Sequence, residues 1–329
     1  MLRYYRLDSE RLIPLSPGAS GSLPPDASWI DLVEPTDAEE RFLEKALGLD
    51  VPTRDEASEL QTSSRLRVQG GTLYMSAILP YGQEREPLQT LPVTFVRTGG
   101  LLLTVRYGRP EAVDHFVQRA GAGEWQLRHV DDVLAALLDV IVDRIADRLE
   151  FIGSDLKMIE RAIFHREQER SSRRPLSIGK RIHALQGAVE QIGIHHMTSF
   201  GLRDCLQSLQ RLLVFCRAHH GDADDARKFH TIEEDLRAIA DYDSDLNNSM
   251  DFMVNATVGL IDVQQNKVIY ALSIAGIVLT PPVLVASIYG MNFGHMPELH
   301  WPWGYGWALT LMAVSASVPW LLFKLKHWL

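Results

Sequence analysis

The sequence predicts an α+β membrane protein with a cytosolic α/β domain, long stalk helices and two C-terminal transmembrane helices. Three observations predict it. Residues 268–289 and 305–323 contain no Asp, Glu, Lys or Arg. Residues 1–128 mix short β-rich runs with helix-capping signals. From residue 130 onward the apolar residues recur at helical spacing, and no proline occurs between Ala226 and Pro281.

The membrane segments come first because they constrain everything else. Crossing a hydrocarbon core takes about 20 residues at roughly 1.5 Å each. The two uncharged runs meet that length and nothing earlier in the chain does. The alternative is a pair of buried helices in a soluble core, but uncharged runs of this length are rare there. Trp301, Trp303, Tyr305 and Trp307 cluster at one end of the second run, and Trp320 and Trp328 lie near the other. Amphipathic rings collect at bilayer interfaces. Lys267 precedes the first run, Lys324 and Lys326 follow the second, and residues 290–304 hold no Lys or Arg. By the positive-inside rule both termini are cytoplasmic, in a multi-pass protein of the inner membrane. Residues 1–17 lack an apolar core of signal-peptide length, so no cleaved targeting segment is expected.

The predicted organisation is a cytosolic α/β domain over 1–128, a cytosolic helical and stalk region over 129–266, a pore-side span over 267–289, an external loop over 290–304, a second span over 305–323 and a basic tail over 324–329. In the first domain, β-rich runs lie at 29–33, 66–68, 72–79, 93–97 and 101–107. Thr36 with Glu39 and Thr53 with Glu56 have capping-box spacing. Gly70-Gly71 and Gly99-Gly100 are hairpin-turn signals. Leu134, Leu137, Leu138, Ile141 and Ile145 mark a helix, 171–175 breaks it, and Leu185, Val189 and Ile192 resume. After a second break at 220–224, one helix is expected over 226–289, roughly 95 Å long. A lone helix of that length does not hold its shape in water, so a bundle of several subunits is expected.

Composition narrows the function. The net charge of -9 disfavours nucleic acid as a partner and is compatible with cation handling. Cys205 and Cys216 form neither a disulfide framework nor a zinc-ligand pair, which fits a reducing compartment. The pairs His195-His196 and His219-His220 are read as surface or interface histidines, because neighbours on a helix point about 100° apart. No GxxxxGK[ST] phosphate loop occurs. No enzymatic activity and no cofactor are expected.

A polar stripe runs along the long helix. Asn255, Asp262, Asn266, Ser273, Thr280 and Ser287 follow one another by seven, four, seven, seven and seven positions, with Ile269 and Gly276 on the same face. Polar groups entering a bilayer face protein or water rather than lipid. Repeated around a symmetry axis, this stripe lines a pore. The alternative is that the hydroxyls bond back to their own helix.

Directly after the first span come Tyr289-Gly290-Met291-Asn292-Phe293 and then Met296-Pro297-Glu298-Leu299. Placed there, before a lysine-free loop and a basic end, this segment resembles the CorA family of divalent-cation channels, whose signature is Gly-Met-Asn. Residues 29–32 (Trp-Ile-Asp-Leu), 34–36 (Glu-Pro-Thr) and 63–66 (Ser-Ser-Arg-Leu) look like the same family's N-terminal domain. The resemblance implies a funnel-shaped homopentamer conducting magnesium and cobalt. It implies an outer selectivity ring of Asn292 with Gly290 and Met291, and an inner polar ring of Asn266. Ile269 and Leu272 then belong to a hydrophobic constriction, and Thr280 to the pore wall. Regulatory magnesium is implied at cytosolic carboxylates, for which Glu56, Glu59 and Asp262 are the candidates. Where some relatives supply an interface carboxylate, this chain has Asn255.

The residue types suit that chemistry. Magnesium wants six oxygens at about 2.1 Å and gives up water reluctantly. Asn292 carbonyls can accept bonds from a hydrated ion's waters, whereas carboxylates there hold the ion too tightly for flux. Glu298 adds a carboxylate at the outer mouth. His295 and His300 flank it, and imidazole suits zinc, so a zinc transporter of the same superfamily is one alternative. A non-conducting, membrane-anchored coiled-coil scaffold is another. It leaves the stripe through the bilayer without a purpose.

Overall fold

The computed structural model describes residues 1–16, 22–54, 56, 65–82, 87–164, 178–219, 223–291 and 296–326. Two compact units emerge: Met1–Gln168 with Val189–Val254, and Glu169–Ala188 with Asn255–Leu329. The expected break at 171–175, residues 220–222 of the break expected at 220–224, and the site candidates Glu59 and Asn292 together with His295 lie outside the described residues, while Ala223 and Asp224 are already helical.

The first unit holds one seven-stranded sheet in the order β2-β1-β3-β7-β6-β5-β4. Its strands are β1 Leu2–Asp8, β2 Arg11–Leu15, β3 Trp29–Val33, β4 Leu66–Gln69, β5 Thr72–Tyr81, β6 Gln89–Thr98 and β7 Leu101–Arg106. Only the β3–β7 pair is parallel among these neighbours. The five expected strands are all present, and β5 and β6 run further than their apolar cores. Gly70 and Gly71 both adopt left-handed φ between β4 and β5, as a tight primed turn requires. Strands β1 and β2 were not expected. Their turn uses Ser9 and Glu10, both at positive φ, in place of the Asn-Gly or Gly-Gly that marks such turns in sequence. Pro14 sits in β2 at the sheet edge, where a missing N–H costs little.

Helix α1, Asp37–Leu47, starts at the Thr36–Glu39 capping box and ends at left-handed Gly48. It covers one sheet face through Leu43, which packs with Tyr4, Ile30, Leu32, Val96 and Leu103. Across the sheet, Tyr5 stacks on Trp29, and Trp29 meets Phe116 of helix α2, Glu111–Ala122, edge-on. In the middle of the sheet, residues 93–96 of β6 and 102–106 of β7 are buried on both faces.

Between β3 and β7 lies a closed ionic pair. Arg106 donates from Nε and Nη2 to the two Asp31 oxygens at 2.9 and 2.7 Å, and Thr104 donates to Asp31 at 2.8 Å. Both charged side chains are 0% exposed.

Helices α3, Val130–Phe164, and α4, Ile178–His219, precede helix α5, Ala223–Tyr289, whose 67 residues make it roughly 100 Å long. Within the first unit these helices are tied by polar groups as well as by Leu and Ile. Asp243 of α5 accepts bonds from Ser199 and Arg203 of α4, and Asn247 donates to Ser199 at 2.6 Å. His195 hydrogen-bonds Asp155 of α3 at 2.8 Å, an interhelical role for one of the paired histidines. Gly153 leaves the space that the Tyr242 hydroxyl fills. Cys205 and Cys216 are both buried and not joined in a disulfide, and the Cys216 sulfur lies 3.3 Å from that of Met75.

Candidate ion-conduction path

Helix α5 does not stop at the point where charge disappears from the sequence. From Val268 to Tyr289 it carries no Asp, Glu, Lys or Arg, and its most apolar part is not buried. A second apolar helix, α6 Gly304–Leu325, follows after one 3-10 turn at Pro297–His300. Both are long and apolar enough to cross a bilayer. Most of their side chains are exposed in the single chain, as expected of surfaces meant for lipid or for other subunits.

The exposure is not uniform around α5. Ile274, Val278, Pro281, Pro282, Val285 and Tyr289 are half-buried, at steps of four, three, one, three and four. That spacing is one helix face. Asn266, Ile269, Ser273, Gly276, Thr280 and Ser287 are all exposed and lie on the opposite face. Asn255 and Asp262 continue the exposed stripe downward, and Leu272 lies at its margin. The face that the chain partly covers is thus the apolar one, and the polar one is left open.

Two of the stripe hydroxyls bond back to their helix. Thr280 donates to the Gly276 carbonyl at 2.6 Å, and Ser287 to the Val283 carbonyl at 2.8 Å. Bonding back to the helix does not remove them from the exposed face. With its proton so committed, each oxygen turns its remaining lone-pair capacity outward as an acceptor.

The helix ends at the signature segment. Gly290 donates to the Ala286 carbonyl at 2.9 Å and Met291 to Ile288 at 3.2 Å, so the last turn tightens and stops. A Cβ on Gly290 would lie 3.2 Å from the Ala286 oxygen, which makes the closing turn tight for any other residue. Glu298 sits half-buried in the 3-10 turn, and His300 is exposed beside it. Beyond lie Trp301, Trp303, Tyr305 and Trp307, all exposed. At the far end of α6 the Lys324 ammonium lies 5.2 Å from the Trp320 ring centre, joining the two kinds of interfacial anchor.

Residues 25–327 match the model of the family described as CorA-like Mg2+ transporter protein. The chain belongs to this family. Curated relatives run the full length of the chain and of themselves. The magnesium transport proteins CorA of Salmonella typhimurium and Escherichia coli K12 are each 31% identical to it, and that of Sodalis glossinidius is 30% identical. The fold is that of the complete CorA magnesium transporter of Methanocaldococcus jannaschii, at 18% identity and a TM-score of 0.76 over 100% of this chain and 99% of that one. The full-length CmaX protein is similar at 19% identity and a TM-score of 0.71, over 99% of this chain and 98% of the other. With that membership, the two apolar C-terminal helices are the spans of a CorA-type membrane protein with an α/β domain ahead of them.

The cytosolic unit adds features that sequence reading did not find. Asp139 and Asp143 of α3 have carboxyls pushed above the usual range, chiefly by burial and then by neighbouring carboxylates, Asp235 of α5 among them. Their spacing of four, extended to Asp147, was a readable signal for one helix face. Asp235 could be placed beside it only by folding. Among the described residues no group of three or more His, Cys, Asp or Glu is arranged to hold a metal ion. Of the proposed sensors, Glu56 accepts bonds from the Thr53 N–H and hydroxyl at 3.0 and 3.1 Å, which commits one of its oxygens to a capping box. Asp262 is exposed on the stripe just below the first span.

Proposed function

We propose that this chain assembles as a homopentamer in the inner membrane, both termini cytoplasmic, and conducts Mg2+ and Co2+ inward as a channel. The observation that carries this reading is the exposed polar stripe of α5, which continues from Asn255 through the span to Ser287 and ends one turn before the signature. Five such faces around an axis enclose a wet path, and five apolar faces turn outward.

In this reading Asn266 forms the inner polar ring, and Ile269 and Leu272 the narrow apolar section. Thr280 and Ser287 offer hydroxyl acceptors to the ion's waters, and Asn292, with Gly290 and Met291, selects at the outer end. Mg2+ is the substrate and a regulatory ligand, and no other cofactor is needed. Five Asp262 carboxylates repel one another unless a divalent cation lies among them. Cytosolic Mg2+ at Asp262, with Glu56 and Glu59 as further candidates, therefore favours the closed state by population shift. The driving force is the membrane potential, worth about 2.3 kcal/mol per charge per 100 mV and about twice that for a divalent ion. The zinc alternative is not favoured, since the relatives named above are magnesium transport proteins.

Residues 268–289 contain no Asp, Glu, His or Lys to carry a proton. Purified protein in vesicles is therefore expected to take up Mg2+ in proportion to an imposed potassium diffusion potential, at equal pH on both sides. Uptake that needs a pH gradient at constant potential contradicts the reading.

A further inference from the structure

The loop between the signature and the second span is shaped by a residue without a side chain. Pro297–His300 forms a single 3-10 turn, in which Trp301 N–H donates to the Glu298 carbonyl at 3.3 Å. Gly304 N–H then donates to the Trp301 carbonyl at 3.0 Å, and α6 begins. This brings the Glu298 carbonyl onto the Gly304 Cα. A Cβ built on Gly304 falls on the Glu298 carbonyl oxygen, well inside contact distance, and lies 3.4 Å from the carbonyl carbon and 3.6 Å from the Trp301 Cβ.

The obstacle is backbone, so no side-chain rotation relieves it. Pro297 and Pro302 hold φ on either side of the turn, so the loop does not yield cheaply. Gly304 has no left-handed φ, so the demand is for space rather than for an unusual conformation. Gly306, two residues on, meets nothing within 4 Å and carries no such demand.

We propose that Gly304 is a positioning residue for transport: by leaving room for the Glu298 carbonyl, it fixes the Glu298 carboxylate at the outer mouth. The inference rests on reading the chain as a Mg2+ transporter. A methyl group at 304 pushes the Glu298 backbone outward and re-aims the carboxylate. A ring of carboxylates at a mouth acts by concentrating cations, so moving it changes the Mg2+ concentration needed rather than the rate at saturation.

The test is the initial rate of Mg2+ uptake against Mg2+ concentration, at fixed potential, for the full chain in vesicles. Gly304→Ala is expected to raise the half-saturating concentration about three- to tenfold, a loss of roughly a kcal/mol of attraction at 1.4 kcal/mol per decade, with the maximal rate within about twofold. Glu298→Gln is expected to do the same, and the double variant to be no worse than the stronger single one, because both act through one group. The shift shrinks at high salt, where the attraction is screened, and Gly306→Ala behaves as wild type. Four results overturn the proposal: an unchanged half-saturation in Gly304→Ala, a fall in maximal rate alone, multiplying effects in the double variant, or failure of Gly304→Ala to assemble. Wild-type vesicles that take up no Mg2+ are a separate failure, that of the transport reading, and overturn both.

Discussion

Replacing Asn292 with alanine is expected to abolish selective Mg2+ uptake while the oligomer still assembles. Helix α5 closes at Gly290 and Met291, the first two residues of the Gly-Met-Asn signature whose third is Asn292 in the sequence. A ring of amide carbonyls there accepts bonds from the waters of a hydrated ion that will not shed them. Each such bond is worth about 1 kcal/mol net. Losing several at about 1.4 kcal/mol per decade removes on the order of a hundredfold or more of the preference. Alanine is smaller than asparagine and uncharged, so size-exclusion chromatography in detergent should be unchanged. Uptake and ion preference equal to wild type in Asn292→Ala exclude the ring.

The second large effect concerns stability. Asp31→Ala is expected to cost about 3–5 kcal/mol, because it strands the Arg106 guanidinium without its counter-charge. Arg106 is fully buried, with its nearest other carboxylate, Asp114, at 3.7 Å. For a unit of this size the loss lowers the midpoint of thermal unfolding by about 10 °C. Breaking an exposed pair such as Arg67–Asp50 should cost under about 1 kcal/mol. A melt of Asp31→Ala within a degree or two of wild type contradicts this account of the β3–β7 seam.

What was legible in the sequence follows from what local chemistry can encode. The Thr36–Glu39 box, the Gly70-Gly71 turn and the uncharged runs each carry their signal within a few residues, and each appears where expected. The long helix was legible because breakers are missing over its length, and it begins three residues before the expected start. Asp31 was singled out only as part of a family-like Trp-Ile-Asp-Leu run. Its burial against Arg106 depends on pairing strands 75 positions apart, which no local pattern contains. The β1–β2 hairpin escaped because Ser9 and Glu10 adopt left-handed φ without the residues that favour it. The stripe of the candidate pore was legible by its period. The apolar face that the fold half-covers behind it, and the Gly304 contact, were not, because both depend on how α5, the loop and α6 are placed.

The central claim, that the open polar face of α5 lines the conduction path, is best tested by thiol accessibility. The background is quiet: Cys205 and Cys216 are fully buried, and burial pushes the Cys205 thiol up to about 12 and raises Cys216 as well. Single cysteines are placed at Ile269, Ser273, Thr280 and Ser287 on the stripe, and at Ala271, Ala275 and Val278 on the face away from it. Mg2+ uptake is then measured before and after a membrane-impermeant cationic thiol reagent is supplied to both sides. The account predicts block at the stripe positions and none at the other three. Block confined to Ala271, Ala275 and Val278, or indifferent to helix face, contradicts it.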